Sequence, residues 1–202
     1  MSTNMTLPNY ILFYNEEIDA ICSLQLLAEH LPRVITIPYY WKWVILSLHN
    51  SLQGFMVLSL HDTPNILDKK SAKVWNESDK TEQISYKPRK LDYFMELYAK
   101  IKSDAMNLRT DSKSFIPNST QDKSVKNLNA FRNKFVHYIP SSSAFNMKAR
   151  AKVVLDVIPI IEFLAFESNN VSLYKEGSRE QVAGLCIMAK NEVSALLKHY
   201  GA

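Results

Sequence analysis

Apolar residues recur at helical spacing through most of the chain, and this pattern predicts a protein built from helices. Asn15 is placed to cap a first helix, which ends before Pro32. A second and strongly apolar helix is predicted to begin at Pro38 and to run to about His61. Gly54, inside that helix, indicates close approach by a neighbouring helix.

The middle of the chain is more polar. Residues 62–87 form a long polar loop, with a short helix expected around Lys70–Trp75. A third helix is predicted from about Pro88 through Leu108. Ser119 and Asp122 have the spacing of a capping box, which predicts that a fourth helix begins there and ends before Pro140.

The last third predicts two more helices. One is expected from about Asn146 through Phe166, with Pro159 kinking or splitting it. Ser178 and Gln181 have capping-box spacing, which predicts a C-terminal helix over residues 178–200, packed on the bundle. With no internal repeat, we expect residues 1–202 to form a single all-α domain, a bundle of five to six helices.

Composition narrows the function classes. Hydrophobic residues make up 47% of the chain and charged ones 22%, as in ordinary globular proteins, while only four glycines disfavour a glycine-rich phosphate loop. No Cys/His cluster has metal-ligand spacing, so we expect no metal and no other cofactor.

Cys22 and Cys186 lie in apolar stripes, as expected of small core residues in a reducing compartment. The first twenty residues lack the features of a signal peptide, which favours a cytoplasmic location.

The segment Trp43–Leu60 has no formal charge, which raises the possibility of a membrane helix. His49, Asn50 and Gln53 interrupt it, and we therefore favour a buried central helix. His49 and Gln53 share a face and could be a satisfied buried polar pair, or could line a functional cleft. Trp41 and Trp43 fit core or interface anchors better than base-stacking platforms.

Positive charge is concentrated in one region. Residues 113–152 contain eight Lys or Arg and one acid, a net charge of 8 − 1 = +7, whereas the whole chain carries +4. A local basic field of this kind favours a polyanion such as RNA, and a solvated basic helix face is the alternative. Four cations in or near the region are candidate phosphate contacts: Lys126, Lys134, Lys148 and Arg150.

Arg132-Asn133-x-x-x-His137 lies late in the fourth predicted helix, within this basic region. It resembles the R-x(4–6)-H motif of HEPN domains, in the form with a polar residue after the arginine. The second predicted helix, around His49-Asn-Ser-Leu-Gln-Gly-Phe-Met, resembles a group of uncharacterised bacterial HEPN-like proteins. The resemblance implies a small helical ribonuclease that acts as a homodimer, with two such motifs facing each other across a cleft.

The residue types suit RNA cleavage without a metal. His137 could act as general acid or base near neutral pH, Arg132 could hold two phosphate oxygens, and Asn133 could orient either group. Such a reaction attacks from the ribose 2′-hydroxyl, so that DNA would not be cut. His49, Gln53 and Tyr138 are possible cleft-lining residues.

The resemblance also implies roles in toxin–antitoxin systems or in defence, under control by a partner such as an antitoxin or a nucleotidyltransferase. In some HEPN proteins the partner modifies a tyrosine two residues after the motif histidine. Here Tyr138 follows His137 directly and position 139 is Ile, which argues against that form of control.

Three other classes stay open. A catalytically silent HEPN module would bind RNA, a nucleotide or a partner protein without turnover. A helical interaction protein would use its polar motif in dimer packing. In a purely structural interpretation, Arg132 would form a core-edge ion pair, for example with a glutamate of the first helix, and His137 would interact with the helix dipole. A membrane-associated protein would use the segment Trp43–Leu60.

Overall fold

A computed structural model describes residues 12–61, 63–81, 89–137 and 144–201. In these ranges the protein is all-α, with one isolated bridge between Leu67 and Leu91 and no strand. The α-helices are α1 (Glu16–His30), α2 (Trp41–Ser59), α3 (Lys69–Thr81), α4 (Phe94–Lys100), α5 (Gln121–Val136), α6 (Met147–Glu162) and α7 (Ser178–His199). Short 3₁₀ turns cover Leu31–Val34, Pro38–Tyr40, Pro64–Ile66 and Asp104–Met106, and a π turn covers Phe163–Glu167.

Helix α2 is the centre of the bundle. It packs against α1, α4, α5 and α6, and most of its residues are buried. Helix α7 packs on α1 and α6, and the buried apolar residues of all these elements form one cluster. The prediction of a central helix buried on most sides is therefore confirmed. Among the described residues, no helix combines the length and the apolar character needed to cross a membrane.

Several predicted local features are confirmed. The side-chain oxygen of Asn15 accepts a hydrogen bond from the backbone N–H of Ile18 at 2.9 Å, so Asn15 caps α1. Helix α1 ends at His30, and Pro32 lies in the 3₁₀ turn that follows. A Cβ built on Gly54 would lie 2.7 Å from Cβ of Ala20, which confirms that α1 approaches α2 closely at this glycine.

Both capping boxes were predicted at the wrong residues. At α5 the reciprocal bonds join Asn118 and Gln121: the Asn118 side chain accepts from the Gln121 N–H at 3.1 Å, and the Gln121 side chain accepts from the Asn118 N–H at 2.9 Å. At α7 the residue before the helix is Gly177, in the left-handed region at φ +77°, and Ser178 is already helical. Among the described residues, the hydroxyl of Ser178 has no hydrogen-bond partner.

Two helix lengths differ from the prediction. The third predicted helix is only the seven residues of α4, because the Ser103 hydroxyl bonds to Lys100 O and to the Ala105 N–H and so starts a separate 3₁₀ turn. The helix in the polar loop is longer than predicted, at 13 residues. The helix predicted through Phe166 has the expected extent, because α6 is followed directly by the π turn, and Pro159 lies inside α6 without splitting it.

Hydrogen bonds to Asp156 join α5 to α6. Its carboxylate accepts from the Ser124 hydroxyl at 2.5 Å and from the Thr120 hydroxyl at 3.1 Å, and its backbone oxygen accepts from the Gln121 side chain at 3.2 Å. All three donors lie at the start of α5. The beginning of α5 is thus fixed on the bundle, while its far end carries Arg132, Asn133 and His137.

Both cysteines were predicted to be small core residues, and this is confirmed for Cys186 but wrong for Cys22. Cys186 is buried in α7, and burial raises the pKa of its thiol to about 12. Cys22, expected in the core, is exposed on α1, because its position in the helix falls outside the stripe formed by Ala20, Leu24 and Leu27. Neither cysteine is in a disulfide.

Candidate functional site

The outer face of α5 carries most of the predicted site residues. Asn133 and His137 are exposed, as are Lys126 and Lys134, while Arg132 is half-buried. The buried face of the same helix holds Gln121, Ser124, Val125 and Leu128. The sequence from 121 to 136 has four Lys or Arg and one acid, Asp122. That acid is paired with Lys102 at 2.8 Å, so the exposed surface of α5 is basic.

Arg132 is held by its neighbour in sequence rather than by an acid. Its Nη1 donates to Oδ1 of Asn133 at 3.1 Å. Among the residues that the structure describes, no carboxylate lies within ion-pair distance of Arg132. The core-edge ion pair with a glutamate of α1, considered as an alternative, does not form. A half-exposed guanidinium of this kind keeps donors available for an anion.

A buried histidine lies beside this arginine. His49, on α2, is 2% exposed, and its Nε2 lies 3.3 Å from Oδ1 of Asn129, one turn before Arg132 on α5. Its ring stacks on Phe94 of α4, with centroids 3.9 Å apart. Burial first, and then the charge of Arg132, lower the pKa of His49 to about 4. The ring is therefore neutral at pH 7, and its Nε2 faces the amide oxygen of Asn129.

His137 lies just past the last residue of α5. Its backbone N–H donates to Asn133 O at 2.9 Å, and its φ and ψ of −102° and 63° end the helix. Five residues separate it from Arg132, which corresponds to about 140° around the helix axis and about 7.5 Å along it. Helix side chains also lean toward the N-terminus, so Arg132 leans away from His137. Within one chain, Arg132 and His137 therefore both lie at the end of α5, but their side chains point in different directions.

Two of the four candidate phosphate contacts make intramolecular contacts instead. Lys148 is half-buried, and its Nζ donates to the backbone oxygen of Gly201 at 2.7 Å, where it ties the start of α6 to the end of α7. Arg150 is 2% exposed, which argues against its predicted role as a contact for an RNA phosphate. The sequence held a signal for this burial: Arg150 is four residues before Val154 and seven before Val157, within the buried stripe of α6.

The possible cleft-lining residues do not form a group. His49 is buried beside Asn129, whereas Gln53 is half-buried and makes no hydrogen bond with His49. Tyr138 lies outside the described residues. Asn129 was missed, because a contact between α2 and α5 cannot be found from the pattern of either helix alone.

The two tryptophans at the start of α2 differ. Trp41 is buried, at 4% exposed, while Trp43 is 51% exposed beside Lys42, whose Nζ lies 5.2 Å from its ring centroid. Trp41 is therefore a core residue, and Trp43 is available on the surface.

No three His, Cys, Asp or Glu side chains in the described ranges lie together in a way that could hold a metal ion. Comparison with protein-family models, with curated proteins and with solved structures finds no match to this chain. The HEPN resemblance therefore stays a prediction that rests on Arg132, Asn133 and His137 in their helical context.

Proposed function

We propose that the protein is a metal-independent endoribonuclease of the HEPN type, which acts as a homodimer at the exposed end of α5. The observation that carries this proposal is Arg132: a half-exposed guanidinium, steadied by Asn133, with no acid partner among the described residues. The basic outer face of α5 supplies the field that attracts an RNA backbone.

In the proposed reaction, Arg132 donates to the non-bridging oxygens of the scissile phosphate and stabilises the charge that grows there. His137 takes the proton of the ribose 2′-hydroxyl or protonates the leaving 5′-oxygen. The products are a 2′,3′-cyclic phosphate and a 5′-hydroxyl. The buried His49 stays neutral, because its pKa is lowered to about 4, and so it adds no second cation beside Arg132.

The geometry of α5 supports two copies rather than one. Arg132 and His137 diverge around the helix by about 140°, so one chain does not bring them onto a single phosphate. A second copy would let Arg132 of one chain and His137 of the other reach the same phosphate. The exposed apolar side chain of Val136, at 47%, lies between them in sequence and would be covered by such a contact.

The test is incubation of the purified protein with transfer RNA and messenger RNA in EDTA. Arg132→Ala and His137→Ala should each lower the cleavage rate by about a hundredfold or more. The matched controls are Arg109→Ala and His199→Ala, which remove an exposed arginine and an exposed histidine elsewhere on the bundle and should leave the rate unchanged. Circular dichroism checks that all four variants are folded.

The products separate the mechanism from contamination. Cleavage should leave cyclic-phosphate ends, and a strand with a single 2′-deoxyribose at the cleaved position should be resistant. Intact RNA with the wild-type protein, or cleavage that survives both Arg132→Ala and His137→Ala, would refute the proposal.

The proposed biological context, a toxin or a defence system, rests on the resemblance to HEPN proteins alone. A toxin or defence ribonuclease would need a partner, such as an antitoxin or a nucleotidyltransferase, to inhibit its activity. Copurification of a partner that suppresses cleavage would support this part, and cleavage that is harmless to cells when the protein is expressed alone would argue against it.

A further inference from the structure

A second site lies at the other side of the end of α5, where it meets α2 and α6. There a cavity of about 310 Å³ is lined by side chains from all three helices and their flanking residues. Its apolar walls include Trp41, Phe135, Phe145 and Met147, and it also reaches Arg150. Cavities of this size accept small organic molecules.

Arg150 is an unusual residue for such a place. It is 2% exposed, and among the described residues no carboxylate lies within ion-pair distance of it. Its guanidinium carbon lies 4.2 Å from the ring centroid of Phe145 and 4.7 Å from that of Phe131. Its Nη1 donates to the backbone oxygen of Asn146 at 3.2 Å, whereas its Nε has no hydrogen-bond partner among the residues that the structure describes.

These contacts do not neutralise the charge. A guanidinium taken out of water is costly unless an anion accompanies it, and contacts with two aromatic faces and one carbonyl offset only part of that cost. Burial lowers the pKa of Arg150 to about 10, so the side chain is still protonated at pH 7. The cavity is therefore bordered by a permanent positive charge that has no counterion in the described part of the chain.

A second residue of the same cavity also carries a buried donor. The indole Nε1 of Trp41, which is 4% exposed, has no hydrogen-bond partner within the described ranges. Buried donors are nearly always satisfied in folded proteins, so the side chains of Arg150 and Trp41, each with a buried donor that lacks a partner in the described part of the chain, make this cavity unusually poor in acceptors. The rim adds the exposed side chain of Lys42, which extends the positive potential to the entrance.

From these features we propose that the cavity binds a small organic anion with a flat apolar body. The body would lie between Phe135, Phe145 and Trp41, and the acid group, a carboxylate or a phosphate, would accept hydrogen bonds from Arg150. The buried position of Arg150 selects a small molecule over an RNA backbone, which could reach only exposed cations such as Lys126 and Lys134. The site is separate from the proposed RNA site, and either can exist without the other.

The proposal is tested by calorimetric titration of the full chain with three probes that share one ring system. Naphthalene-2-carboxylate should bind, and naphthalene-2-carboxamide, which has the same shape but no charge, should bind about tenfold more weakly or worse. Comparison with 2-naphthyl phosphate then identifies the acid group that the cavity prefers, and binding of either anion supports the proposal.

Variants assign the binding to the cavity. Arg150→Met should abolish the preference for the anion over the amide, whereas Lys152→Met, an exposed cation two residues later on α6, should bind like the wild type. If Arg150→Met does not fold, Phe145→Ala serves instead: it changes a side chain that is 44% exposed and should weaken both the anion and the amide.

The proposal is overturned if the wild type binds neither anion at millimolar concentration, or binds the amide as tightly as the anions. Equal losses in Lys152→Met and Arg150→Met would also overturn it, since the binding would then depend on general surface charge. None of these results bears on RNA cleavage, which depends on Arg132 and His137.

Discussion

The close contact between α1 and α2 gives a stability prediction with an internal control. A Cβ added at Gly54 would lie 2.7 Å from Cβ and 3.0 Å from Cα of Ala20, which is fully buried in α1. The second of these atoms belongs to the backbone, so Gly54→Ala requires α1 to move away from α2. Helix α1 packs on α2 more extensively than on any other described helix, and the displacement would disturb much of the core.

The expected magnitude follows from two opposing effects. Overpacking of a well-packed core costs about 1 to 3 kcal/mol, while alanine favours a helix interior over glycine by about 1 kcal/mol. The net effect of Gly54→Ala is a loss of up to about 2 kcal/mol in the free energy of unfolding. For a chain of this length, the loss lowers Tm by up to about 8 °C.

Gly184 supplies the matched control. It also lies inside a helix, on the exposed face of α7, and a Cβ at this position would meet no heavy atom within 4 Å. Gly184→Ala should therefore keep only the helix-propensity gain and raise Tm by about 2 to 4 °C. The assay is urea and thermal unfolding of both variants, and the reasoning is refuted if Gly54→Ala stabilises the protein as Gly184→Ala does.

Three further predictions concern buried or partly buried polar groups. The pKa of His49 is about 6.5 in the unfolded chain and about 4 in the folded one, so the unfolded chain alone binds this proton when the pH falls from 7 to 4.5. Over that interval, the free energy of unfolding of the wild type should fall by about 2 kcal/mol more than that of His49→Gln, as measured by urea unfolding at both pH values. Asp156→Ala should lower the free energy of unfolding by about 2 kcal/mol, measured with urea, because the buried Ser124 hydroxyl loses its hydrogen-bond acceptor. Lys100→Met should cost about 2 kcal/mol by the same assay, because its Nζ bonds to two backbone oxygens and a carboxylate, whereas exposed Lys73→Met should change little.

The helical architecture could be predicted from the sequence because the periodicity of apolar residues is strong over most of the chain. Asn15 and Gly54 also gave correct local predictions, since a cap and a close approach depend on a residue type at one place. Ser119 and Ser178 gave wrong ones. A capping box depends on which residue first leaves helical geometry, and at α7 Gly177, with its left-handed φ, took that place.

The surroundings of the candidate site were harder to predict. Exposure of Asn133 and His137 follows from the helical wheel, and the structure agrees. The pairing of His49 with Asn129 joins residues 80 positions apart, and no single helix contains the information for it. Arg150 was predicted to be a phosphate contact because of its charge, and its position in the apolar stripe of α6, which indicates burial, was given less weight. Its burial is what makes the cavity beside it a candidate anion site.

The central claim is that Arg132 of one copy and His137 of another act on the same RNA phosphate. It is tested most directly by mixing Arg132→Ala protein with His137→Ala protein, after unfolding and refolding them together so that mixed dimers form. Each variant alone should be inactive, and the mixture should recover part of the wild-type cleavage, with cyclic-phosphate ends. If both variants are folded and the wild type cleaves RNA, a mixture as inactive as its components would contradict the shared site.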